Sequence, residues 1–115
     1  MSTWILVALA LAAIFVLSRL KGGNRMSSTA ITEMIASGAQ VLDVRTPAEY
    51  QAGAYPGARN IPVQALGARL GELRKDKPIV VYCAAGGRAA TATSMLKQAG
   101  FSEVVNAGGL MHMPR

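Results

Sequence analysis

The chain has one cysteine, Cys83, and one histidine, His112, in 115 residues. A lone cysteine excludes an intrachain disulfide, so the fold must stand on its core. It also excludes a Cys-x-x-Cys redox pair and a thiolate zinc cluster. With a single histidine, a catalytic zinc or a two-histidine metal motif has almost no ligands to draw on. No metal and no cofactor is expected. Aromatic residues are scarce at 5%, and no basic stripe interleaved with aromatics is visible. Those absences argue against a dedicated nucleic-acid binder. Any chemistry must be done by very few groups.

Apolar sequence is plentiful but unevenly placed. Trp4 to Leu17 (WILVALALAAIFVL) is an unbroken apolar run, followed at once by Arg19, Lys21 and Arg25. These three charges make up half of the formal net charge of +6; from Met26 onward the balance is only +3. No Lys or Arg precedes the run and no small-x-small site follows it, which disfavours a cleaved signal peptide. The run has no polar face, which disfavours a buried core helix. The expectation is a single N-terminal transmembrane helix, a membrane anchor using residues 2–18, with 1–25 as anchor and linker and 26–115 as the domain. The basic cluster on the C-terminal side places the domain in the cytoplasm of a bacterial-type inner membrane, with a periplasmic domain as the alternative.

From Met26 the pattern alternates. Ser28 can cap a helix over Ala30 to Ser37, ended by Gly38. Val41 to Val44 reads as a buried strand. Thr46-Pro47-Ala48-Glu49 is a capping box with proline at the first helical position, opening a helix to about Gln51. Gly53 to Pro62 reads as turns around a brief strand. Gln64 to Leu73 carries Leu66, Leu70 and Leu73 at helical spacing. Ile79 to Tyr82 is β-branched and aromatic, a central strand. Ala89 to Ala99 is a helix closed by Gly100 and Phe101, and Glu103 to Asn106 is a last strand. Strands alternating with helices imply an α/β fold, a small parallel sheet flanked by helices on both faces.

Cys83 falls at the C-terminal end of the central strand, the edge where α/β folds bind ligands. The loop that follows is Ala84-Ala85-Gly86-Gly87-Arg88-Ala89. Its glycines let the backbone curl, so successive N–H groups can form an anion-binding nest. The next helix adds its positive end, and Arg88 adds a full charge. Each puts positive potential on the sulfur, so a nucleophile can be activated without a histidine base. A lone cysteine is more often a small buried hydrophobe. This one ends an apolar run and precedes glycines and an arginine, which favours a functional role. Asp43 and Arg45 read as a structural pair, Arg59 and His112 as surface residues, and Glu49 as a cap.

Two stretches resemble the rhodanese-like domain family. LDVRTPAEYQAGAYPGARNIPV (Leu42 to Val63) is similar to its first signature, and VVYCAAGGRAATA (Val80 to Ala92) to its active-site loop and following helix. Asn106 to Gly109 resembles its closing strand and glycine turn. Departures are Ala54-Tyr55-Pro56, where many relatives carry His-Ile-Pro, and the short tail Met111 to Arg115. The resemblance implies a thiosulfate sulfurtransferase that moves a sulfane sulfur from a small anionic donor to cyanide or a thiol through a Cys83 persulfide. The amides of Ala84, Ala85, Gly86, Gly87, Arg88 and Ala89 would hold the charge, and Arg88 would orient the donor. A catalytically weak sulfur-carrier or binding module at the membrane is the alternative. The similar cell-cycle phosphatases use a loop one residue longer, so phosphatase chemistry is disfavoured.

Overall fold

A computed structural model describes residues 3, 7–10 and 26–115. Most of the expected membrane anchor lies outside the described residues. Among them, no helix is long and apolar enough to cross a membrane.

The elements in order are α1 (Ser28–Ala36), β1 (Gln40–Asp43), α2 (Pro47–Ala52), β2 (Arg59–Asn60), α3 (Val63–Leu66), a 3-10 turn (Leu70–Glu72), β3 (Ile79–Cys83), α4 (Gly87–Gln98), β4 (Val104–Gly109) and a final 3-10 turn (Leu110–His112). The sheet has the order β2-β1-β3-β4, and every pairing is parallel. The α/β expectation therefore holds.

The period of two along the strands sorts their side chains onto opposite faces. Ile79, Val81 and Cys83 of β3 point to one face with Leu42, Val44 and Ile61, under Leu66 and Leu73 and against Ala89, Ala92 and Leu96 of α4. Val80 and Tyr82 point to the other, where they meet Val41, Ile31 of α1 and Met113. All five residues of β3 are buried, as a strand covered on both faces requires.

Local signals are realised with shifts. The cap of α1 is Ser27, whose Oγ accepts from the Ala30 N–H at 3.2 Å. Ser28 lies one residue inside, and its carbonyl accepts from Thr32 Oγ1. The expected helix over Gln64 to Leu73 divides into α3 and the 3-10 turn, with glycines at 67 and 71 and Arg69 in a bridging conformation. Leu66 and Leu73 still enter the core, so the apolar spacing finds the buried face but not the break. The Thr46–Glu49 capping box forms with both reciprocal bonds. At the far end of α4, the Phe101 N–H reaches the Leu96 carbonyl at 3.1 Å. Gly100 takes φ +98°, and Phe101 is buried.

β4 starts one residue later than expected and runs three further. It carries an irregularity: Asn106 faces Val81 but Gly108, not Ala107, faces Tyr82. The extra residue brings Gly108 and Gly109 alongside Tyr82 and Cys83, at the edge where the sheet meets the cysteine loop.

Candidate active site

Cys83 is the last residue of β3 and is only 1% exposed. Its sulfur lies under the loop that follows. The chain leaves the strand through exposed Ala84 and Ala85, turns at Gly86, and enters α4 at Gly87. Gly86 has φ +115°, a conformation that side chains with a Cβ rarely adopt. That turn aims the Gly86 N–H back at the Cys83 Sγ, 2.8 Å away. The Gly86 carbonyl accepts from Ala90 at 3.0 Å and starts the helix ladder. Of the predicted loop residues, Gly86 places its backbone amide on the sulfur, and Gly87, Arg88 and Ala89 open the twelve-residue helix that follows. Ala89 turns its side chain into the core at 0% exposure.

The opposite wall is main chain. A Cβ built on Gly109 would collide with the Ala84 carbonyl oxygen, and would lie 3.1 Å from its carbon and 3.4 Å from the Ala85 Cα. A Cβ on Gly86 would stand 3.6 Å from the Gly108 Cα. The glycine pair at the end of β4 is therefore the floor on which the cysteine loop rests. Gly109 is itself held: its N–H donates to His112 Nδ1 at 3.0 Å. His112 is exposed, yet it is not a free tail residue. Met113 beyond it is buried at 4% and packs with Tyr82.

Arg88 does not stand free at the mouth. Its Nη1 and Nη2 donate to Glu49 Oε1 and Oε2 at 2.7 and 3.0 Å, a two-pronged ion pair. Both side chains are 34% exposed. The pair ties the first turn of α4 to the first turn of α2. Glu49 thus has a second task beyond its cap, invisible in sequence because its partner is 39 residues away. The guanidinium of Arg88, followed by the Thr46 amide, holds the Glu49 carboxyl down to about 2. Glu49 and the nearby sulfur of Cys83 both contribute to raising Arg88.

A buried network stiffens the strand ends behind the loop. Asp43 accepts two bonds from Arg45 Nε and one from its Nη2, at 2.8 to 3.1 Å. Arg45 also donates to the Gly53 carbonyl. Tyr82 Oη donates to Asp43 at 2.7 Å and accepts from the Tyr55 N–H at 2.9 Å. Burial pushes the Tyr82 hydroxyl up to about 12. The Asp43–Arg45 pair is structural, as expected from buried charge that must be partnered. Arg59 pairs with Glu72 at the surface. Among the described residues, no group of three or more His, Cys, Asp or Glu side chains could hold a metal ion.

The arrangement presents one buried sulfur under a curled backbone, with the Gly86 N–H directed at it and the Arg88–Glu49 ion pair on the following helix turn. Comparison with known proteins agrees with that. The profile of the rhodanese-like domain family matches residues 27–111. A sulfurtransferase of Allochromatium vinosum is 35% identical over 88 residues, covering 75% of this chain and 82% of the relative. The thiosulfate sulfurtransferase PspE of Escherichia coli is 39% identical over 71 residues, 60% of this chain and 68% of that protein. Among solved structures, a rhodanese with anions from E. coli superposes with a TM-score of 0.63 at 36% identity, over 67% of this chain and 95% of that one.

Proposed function

The chain belongs to the rhodanese-like domain family, and on that premise we propose that it is a sulfurtransferase working through a persulfide on Cys83. The observation that carries the proposal is the Gly86 N–H directed at the Cys83 sulfur at 2.8 Å, at the mouth of α4. The Cys83 thiolate attacks the outer sulfur of an anionic donor such as thiosulfate. A new S–S bond forms as the donor's own S–S bond breaks, and sulfite leaves with the electron pair. Cys83 is left carrying a second, negatively charged sulfur. Fixed amide donors and the helix end stabilise that charge without reorganising. Cyanide or a thiolate then attacks the outer sulfur, leaves with it, and returns Cys83 to the thiolate. The two half-reactions share one site, so ping-pong kinetics follow.

The supporting relatives include proteins named as thiosulfate sulfurtransferases and a putative sulfur carrier. The test is mass spectrometry of the protein after thiosulfate. The expected result is a gain of one sulfur, discharged by cyanide and absent in Cys83→Ser. A protein that takes up no sulfur from any sulfane donor is instead a binding module. We also propose that residues 2–18 anchor the chain in a membrane with the domain on the cytoplasmic side. Full-length protein should resist carbonate extraction from membranes, and a C-terminal tag should be shielded from protease in intact spheroplasts. Extraction into the carbonate supernatant would remove the anchor, and tag digestion would reverse the topology.

A further inference from the structure

Among the described residues, the charged side chains shown beside the Cys83 loop are Arg88 and Glu49, and they are locked to each other. Arg88 is the sole Lys or Arg between Cys83 and Lys97, and Glu49 takes both of its terminal nitrogens. Among the described residues, the four arginines between Asp43 and Cys83 are paired elsewhere. Arg45 is buried on Asp43, Arg59 and Arg69 sit on Glu72, and Arg74 sits on Asp76. The lysines among the described residues are at the far end. Lys97 is in the last turn of α4, Lys75 lies over Phe101 beyond that helix, and Lys77 precedes β3. A donor approaching Cys83 therefore meets backbone dipoles and a neutralised pair.

Building on the sulfurtransferase reading, we propose that Glu49 is a specificity-determining residue: by cancelling the charge of Arg88 at the rim, it favours sulfane donors bearing one negative charge over dianions such as thiosulfate. Glu49 is ionised throughout the physiological range because Arg88 and the α2 cap hold its carboxyl at about 2. Its effect is thus a constant of the site, not a switch. The preferred class is a thiosulfonate or persulfide monoanion, R–SO2–S⁻ or R–S–S⁻, whose transferred sulfur is the same but whose charge is halved.

Glu49→Gln tests this with the fold kept, since glutamine can retain the reach-back bond of a capping box. Coulomb energy scales with the charge of the donor, so uncovering Arg88 should help a dianion by the square of the factor by which it helps a monoanion. With cyanide as acceptor, we expect kcat/KM to rise about threefold for benzenethiosulfonate and about tenfold for thiosulfate, mostly through KM. The difference should shrink with added salt as the rim charge is screened. Equal gains for both donors, or an equal loss, would show that Glu49 only positions Arg88, and would overturn the proposal.

A second readout does not use sulfur transfer. Alkylation of Cys83 forms an S–C bond and expels iodide, with anionic iodoacetate or neutral iodoacetamide. Glu49→Gln should raise the iodoacetate to iodoacetamide rate ratio about threefold, and Arg88→Gln should lower it. An unchanged ratio in Glu49→Gln refutes the charge argument. A changed ratio in a protein that accepts no sulfur keeps it, and sinks the sulfurtransferase reading instead.

Discussion

Gly109→Ala offers the sharpest test of how the cysteine loop is held. The added Cβ meets three atoms, the Ala84 carbonyl oxygen and carbon and the Ala85 Cα, and all belong to the backbone of one loop. No flexible side chain can swing aside, so the loop or the end of β4 must move. Overpacking of this kind costs about 1–3 kcal/mol. For a domain of this size each 1 kcal/mol shifts Tm by about 4–8 °C, so the variant should melt between about 4 and 24 °C lower. The second consequence is chemical. Moving Ala84 and Ala85 displaces the Gly86 amide from the sulfur it now touches at 2.8 Å. A misplacement near 1 Å can cost about 100-fold in rate, so sulfur uptake from thiosulfate should fall by at least about tenfold. Gly71→Ala is the control, since a Cβ there has nothing within 4 Å; it should leave both quantities near wild type. Differential scanning calorimetry and a single-turnover persulfide assay decide the matter. A Gly109→Ala protein that melts and reacts like Gly71→Ala would refute the close approach of strand and loop.

Three further outcomes follow from the charged and buried groups. Asp43→Ala strands the Arg45 guanidinium, whose side chain is 8% exposed, and should cost about 3–5 kcal/mol in a urea titration; a loss below about 1 kcal/mol would mean that the pair is not buried as described. Glu49 is depressed to about 2 in the fold against 4.5 unfolded, so its contribution is complete above pH 4.5 and is lost as pH falls through about 2. The stability gap between wild type and Glu49→Gln should therefore close over that window in an acid titration by circular dichroism; a gap that persists below it contradicts the ion pair. Tyr82 is raised to about 12 against 10 unfolded, so the fold favours its neutral form and should lose stability as pH rises from about 10 to about 12. In Tyr82→Phe that alkaline loss should be absent, at a cost of about 1–3 kcal/mol at neutral pH from the unpartnered Asp43 oxygen and Tyr55 amide.

Much of this architecture is legible in the amino-acid sequence. Strands announced themselves through local composition: Ile79-Val80-Val81-Tyr82 has few other ways to bury itself. The Thr46–Glu49 box was readable because both partners lie within one turn. Cys83, Gly86 and Arg88 are readable as a candidate site because a curled loop and a helix start are local features of consecutive residues. What sequence could not display was contact across the sheet. Arg88 reads as a free rim cation until α2 is docked beside α4 and Glu49 meets it. The break at Gly67 is not legible there, because leucine spacing reports which side is buried, not whether the backbone stays helical. Gly108 and Gly109 looked like an ordinary turn. Their real work depends on a one-residue slip in β4 that only pairing with β3 reveals. His112 looked like a tail residue for the same reason, since its partner amide is placed by that strand.

That slip has a consequence for how such a catalyst can diversify. A pocket walled by side chains can be widened one truncation at a time. Here the ground beneath the cysteine loop is bare peptide, already stripped to glycine, with no methyl left to remove. Point substitution can only fill it. Larger substrates must instead be reached by lengthening the ring that encircles the sulfur, an insertion that lifts the whole arch at once. Changes of chemistry in a scaffold of this kind should therefore come in steps of entire residues rather than by gradual resculpting.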